Sequence, residues 1–120
     1  MAGSSKLIVL GAVNAAIAVG AGAFGAHGLR ERLDARSLEI FETAARYQMY
    51  HALALVLCGV IATRGAKQAG VVFQAGIVIF SGSLYALALT GVTGLGAITP
   101  IGGLAFLAGW LWLAYTAGRE

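Results

Sequence analysis

The sequence predicts an all-α fold, an integral membrane four-helix bundle with an amphipathic interfacial helix between the first and second helices. Two observations carry this. Of the 120 residues 59% are hydrophobic and only 11% charged, with a mean hydropathy of +0.84, whereas a soluble domain is about a quarter charged. The apolar residues also fall into four continuous runs rather than an alternating pattern. Each run approaches the roughly 17–25 residues that a helix needs to cross a bilayer. Hydrocarbon cannot satisfy free backbone groups, so the runs must be helical, and their continuity excludes a β-barrel.

The first span covers about residues 7–26, "LIVLGAVNAAIAVGAGAFGA". Lys6 and the "AGA" at 21–23 imitate a signal peptide, but the run is longer than an ordinary signal core, so a retained helix is expected. The charged segment after it contains Leu38, Phe41 and Ala45 at helical spacing. It predicts an amphipathic helix over about 34–46, capped by Asp34 or Ser37 and feeding straight into the second span. That span covers about 47–63. Arg46 stands at the boundary, where its stem stays apolar while its head reaches water.

The loop "RGAKQ" leads to the third span, about 70–90. An uncharged loop, "GVTGLGAI", leads to the fourth, about 100–116, where Thr99 is expected as the cap and Pro100 in the first turn. All four spans belong to one transmembrane domain, 1–120. An even number of spans puts both termini on one side. Lys6, Arg64, Lys67 and Arg119 share that side, and Arg30, Arg32, Arg36 and Arg46 the other, so the positive-inside count ties. Four acids accompany the second set and only Glu120 the first, giving a slight preference for cytoplasmic termini in a cell (inner) membrane. Trp110, Trp112 and Tyr115 are expected in the aromatic belt of the terminal side, and Tyr47 and Tyr50 in the opposite one, with Tyr85 pointing toward it.

Eighteen glycines fit helices that associate through small residues. Gly11, Ala15, Ala18, Gly22 and Ala26 form one stripe on the first span, and Gly102, Ala105 and Gly109 another on the fourth. Asn14 and Gln74 could hydrogen-bond to each other inside the bundle. Gln74, Ser81 and Tyr85 share a face of the third span.

The net charge of +3 comes from scattered bases, which suits lipid headgroups rather than nucleic acid. Cys58 is the one cysteine, so no internal disulfide forms. The glycines follow no strand and precede no phosphate-loop lysine, so nucleotide binding has no support. No cofactor is implied.

Four motifs, "GAFGAHGL" at 22–29, "TAARYQMYHALAL" at 43–55, "FSGSLYALALTG" at 80–91 and "ITPIGGLAFLAGW" at 98–110, resemble the YgdD-like family in matching order. This is a domain-of-unknown-function family (DUF 423) of small bacterial membrane proteins, with related small transmembrane proteins in animals. The resemblance implies a four-helix inner-membrane protein and supplies neither an activity nor catalytic residues.

On the four-span topology these motifs gather opposite the termini. Ionisable or polar residues at membrane depth are a functional hypothesis by default. The candidate cluster is therefore His27, Arg46, Tyr47, Gln48, His51, Ser83 and Tyr85, with no residue assigned as catalytic. Three readings compete. A structural or interaction bundle, binding lipid, a second copy or another membrane protein, is preferred. An oligomeric transporter or channel for a small solute or proton would use His27 and His51, which can titrate near neutral pH. Catalysis is the weakest reading, because no metal-ligand set or nucleophile with its base converges.

Overall fold

The computed structural model describes residues 2–119. Met1 and Glu120, the acid assigned above to the terminal side, lie outside the described residues. Four helical stretches, Ser4–His27, Ala35–Ile61, Arg64–Thr90 and Thr93–Gly118, are long and apolar enough to cross a membrane. The chain is an all-α membrane bundle.

Helix α1, Ala2–His27, buries Ser4, Leu7, Gly11, Asn14, Ala18 and Gly25. Their spacing of three, four and, from Ala18 to Gly25, seven residues is the seam of a helix packed along a neighbour. That neighbour is α2, Ala35–Ile61. The backbones come close where side chains are missing. A Cβ on Gly11 would lie 2.7 Å from the Ala52 carbonyl oxygen, and one on Gly59 2.7 Å from that of Ser4. In lipid such close approach replaces the hydrophobic drive that joins helices in water.

The amphipathic segment and the second span form this single helix α2. Its N-cap is Asp34, whose Oδ1 accepts the Ser37 N–H at 2.7 Å, which settles the choice between Asp34 and Ser37. Its first turns dock on the bundle: Phe41 and Ala44 are buried, and Phe41 packs with Leu29 and Ala88.

Two loops differ from the sequence expectation. The expected loop over residues 64–68 is already helical, since α3 runs Arg64–Gly76. The reversal is confined to Ala62, in the left-handed region at φ 62°, and Thr63, whose Oγ1 accepts the Ala66 N–H at 3.1 Å. A left-handed C-cap followed directly by an N-cap makes a loop that composition does not reveal. At the other reversal, Thr99 does not cap the fourth span. It lies inside helix α5, Thr99–Gly118, with Pro100 in the first turn. Its hydroxyl is engaged instead by Ser83 at 2.6 Å.

The third span is not one regular helix. A π-helical turn, Ile77–Ser81, separates α3 from α4, Gly82–Thr90. Here Ser81, fully buried, donates to the Ala44 carbonyl of α2 at 2.8 Å. A single 3₁₀ turn, Thr93–Ala97, then leads into α5.

Helix α2 and the α3–α4 span are the central pair. Helix α1 packs on α2, and α5 packs on α3 and the π turn. One core joins Leu7, Leu55, Cys58, Phe73, Ile77 and Phe106.

Candidate functional site

Two hydrogen-bonded sets of side chains lie inside the bundle. The first crosses three spans. Tyr85 Oη donates to Gln48 Oε1 at 2.8 Å. Gln48 Nε2 donates to Asn14 Oδ1 at 3.0 Å, and Asn14 Nδ2 donates to Gln74 Oε1 at 2.8 Å. Asn14 Nδ2 also donates to the Leu10 carbonyl at 3.0 Å. Asn14 and Gln48 are each only 5% exposed, a depth at which unmet polar groups are costly. Both belong to the α1–α2 seam, so the helix packing itself brings the two amides together.

The second set is centred on His51, which is 4% exposed. Trp110 Nε1 donates to His51 Nε2 at 3.1 Å, and His51 Nδ1 lies 2.8 Å from the Tyr47 carbonyl oxygen. An indole N–H can only donate and a carbonyl can only accept. The ring is therefore neutral, with its proton on Nδ1. It stacks on Phe106, centroids 3.5 Å apart and planes 5° from parallel, and is flanked by Phe73 at 5.5 Å. Beside it a groove of about 440 Å³ opens between α2 and α5, lined by Tyr47, Tyr50, Phe80, Leu107 and Trp110 among others.

The structure thus divides the residues grouped from the sequence. Gln48 and Tyr85 share the amide set, while Tyr47 and His51 share the aromatic one. Ser83 bonds Thr99 and the Phe80 carbonyl. His27, at the last turn of α1, and Arg46 are exposed and make neither set. Tyr50 is exposed and meets the Tyr47 ring edge-on at 5.4 Å. His51 and Tyr85 belong to different sets.

Two aromatic assignments are corrected. Trp110 turns its N–H inward to His51 rather than serving the terminal belt, and Tyr85 turns its hydroxyl inward to Gln48. The buried face of α5 consists of Gly102, Phe106 and Gly109, not Gly102, Ala105 and Gly109. That spacing, which continues to Leu113, places Trp110 beside the packing face and was the available signal for its role. Gly22 also stands apart from the α1 seam, since a Cβ there would meet nothing within 4 Å. Among the described residues no three His, Cys, Asp or Glu side chains converge as metal ligands would.

Comparison with known proteins locates this architecture. A family model described as "Protein of unknown function (DUF423)" matches residues 21–103. A UPF0382 membrane protein of Staphylococcus saprophyticus is 53% identical over 109 residues, covering 88% of this chain and 91% of that protein. One from Staphylococcus epidermidis is 55% identical over 107 residues, covering 87% and 88%. The UPF0382 membrane protein YwdK of Bacillus subtilis is 46% identical over 115 residues, covering 92% and 94%. No solved structure matches the chain. The helical membrane bundle, the family match and these relatives together show that the chain belongs to the DUF423 family of membrane proteins, a family of unknown function.

Proposed function

We propose that the protein is a structural bundle of the bacterial cell membrane, which offers its outer face to lipid and to membrane partners and carries no solute through its interior. The supporting observation is that, among the described residues, every buried side-chain nitrogen or oxygen except Ser4 Oγ has a hydrogen-bond partner within the protein. The Tyr85–Gln48–Asn14–Gln74 chain runs through three amides, which make hydrogen bonds without taking up or releasing protons in the accessible pH range. His51 has both ring nitrogens engaged, so a proton on Nε2 would break the Trp110 bond. Such groups hold helices in register and leave no free relay.

Both termini are cytoplasmic in this reading. Their end of the bundle carries Lys6, Arg64, Lys67 and Arg119 with no acid among the described residues, whereas the other end balances four arginines with Glu31, Asp34, Glu39 and Glu42.

Reconstitution into vesicles with an internal pH dye tests the proposal. The proton leak is expected to equal that of protein-free vesicles and to be unchanged by His51→Ala. His51→Phe, which keeps a ring and loses both hydrogen bonds, is expected to lower unfolding stability in lipid by about 1 kcal/mol. A leak that depends on His51 refutes the structural reading in favour of a channel.

A further inference from the structure

We propose that the cleft between the start of α3 and the end of α5 binds the phosphate of an anionic membrane lipid. The cleft has a volume of about 440 Å³ and is lined by Arg64, Gly65, Gln68, Trp112, Thr116 and Arg119. Four properties of these residues specify the ligand.

First, two guanidinium groups from different helices line one cleft, and among the described residues no Asp or Glu lines it. Guanidinium forks match phosphate oxygens in a bidentate way that an ammonium does not. Second, Trp112 Nε1 donates to Gln68 Oε1 at 2.9 Å. This engages the amide oxygen and leaves the Gln68 NH₂ as a further donor. Third, Arg64 opens α3 just after its Thr63 cap, at the dipole end that favours an anion, while Arg119 offsets the opposite dipole end of α5.

Fourth, the position selects a lipid. The cleft lies where two membrane-spanning helices end, and Trp112 and Tyr115, rings 5.7 Å apart, flank it as headgroup-level aromatics. Arg119 is held there by its bond to Tyr115 Oη at 2.6 Å. All four described acids are at the opposite end of the bundle, so among the described residues only bases carry charge at the cleft's end. Charge complementarity thus assigns an anionic headgroup, with its acyl chains on the apolar outer face of α5, where Leu111 is 69% exposed.

The assignment rests on the lipid-facing bundle proposed above, and the test separates the two. Native mass spectrometry of the full chain released from mixed phosphatidylglycerol and phosphatidylcholine vesicles reads headgroup preference. Each arginine is worth about fivefold in binding near a membrane surface. Arg64→Gln with Arg119→Gln is therefore expected to lower the phosphatidylglycerol preference about 25-fold. Lys6→Gln with Lys67→Gln removes the same charge from the same end outside the cleft, and is expected to change it far less than the arginine pair, because neither lysine lines the cleft and their distant charges are screened.

An equal loss in both pairs would mean diffuse surface charge and overturns the site, as does an unchanged preference in the arginine pair. Full displacement of the lipid by equimolar inorganic phosphate overturns the lipid assignment. A second readout needs no arginine variant. In Trp110→Phe, Trp112 is the one remaining tryptophan, and brominated phosphatidylglycerol is expected to quench it more strongly than brominated phosphatidylcholine. Equal quenching counts against the site. Failure of the unmutated chain to enter vesicles as a helical protein would instead defeat the bundle reading.

Discussion

Asp34 shows how one side chain outside the membrane ties the bundle to pH. Its carboxylate accepts the Ser37 backbone N–H, with a further contribution from the Ser37 hydroxyl and a smaller one from Arg36, and these hold its carboxyl below the usual carboxylate value. A depressed folded value means that the folded state binds its proton less readily than the unfolded chain. The stabilisation is therefore fully present above the ordinary Asp value of about 3.9 and is lost as pH falls through the lower, folded value. Asp34→Asn keeps a capping oxygen without the charge. The protection of the Ser37 and Leu38 amides, corrected for the intrinsic exchange rate at each pH, is expected to fall on acidification in the parent chain and to stay level in the variant. Equal acid sensitivity in both chains would place the titrating group elsewhere. Residues differ in how legible they are before folding. Asp34 before a periodic run announces itself, as do Asn14 and Gln74 in otherwise apolar spans. Trp110 does not, because an amphipathic ring near a helix end reads equally well as a belt residue. Only the His51 lone pair opposite it fixes the role.

At the scale of the element, the helices were readable from hydrophobic run length, while their facing surfaces were not. Choosing small residues alone gives the stripe Gly11, Ala15, Ala18, Gly22, Ala26. The true seam keeps Gly11 and Ala18 but takes Asn14 and Gly25, because packing alternates a gap with the group that fills it. A Cβ on Gly25 would lie 2.9 Å from the Phe41 ring. The π turn was likewise invisible, since nothing in "IVIFS" departs from ordinary helix composition. Its company is structural: Ser81 reaches the Ala44 carbonyl, and Phe80 packs near Phe106 at 5.3 Å. The seam makes opposite forecasts for two glycines, Gly22 of α1 and Gly59 of α2. Gly22→Leu is expected to leave the thermal midpoint in detergent within error, as nothing lies within 4 Å of that position. Gly59→Leu must push α1 from α2 at the Ser4 carbonyl and Ile8, and overpacking of this kind costs about 1–3 kcal/mol. Equal midpoints for the two variants would mean that the α1–α2 contact is looser than the structure has it.

Across the whole molecule, depth along the membrane axis connects charge to orientation. The 20 residues of α5 span about 30 Å, the thickness of the hydrocarbon core. The His51–Phe106 stack sets α2 level with α5, and both helices run the same way through the bundle. Measured from that stack, the residues of α2 before about position 44 lie beyond the start of α5, a projection of about 14 Å. Arg36, Glu39 and Glu42 are therefore carried clear of the core, while Arg46 remains within reach of the headgroups by its stem. At the opposite end Arg64 and Arg119 sit flush with their helix ends, at headgroup depth. The bases thus tie in number but not in placement or in accompanying acid. An end with four bases and, among the described residues, no acid interacts most favourably with an anionic cytoplasmic leaflet, and retention of such charges is the basis of positive-inside topology. In a Cys58→Ala background, single cysteines at Lys67 and Gly118 are expected to resist a membrane-impermeant maleimide in intact cells and to react after permeabilisation. Cysteines at Arg32 and Thr93 are expected to react in intact cells. The inverse pattern would turn the basic cleft outward without disturbing the bundle, since the helix contacts are the same in either orientation. Labelling of Lys67 and Arg32 from the same side would contradict the two-sided arrangement of helix ends itself.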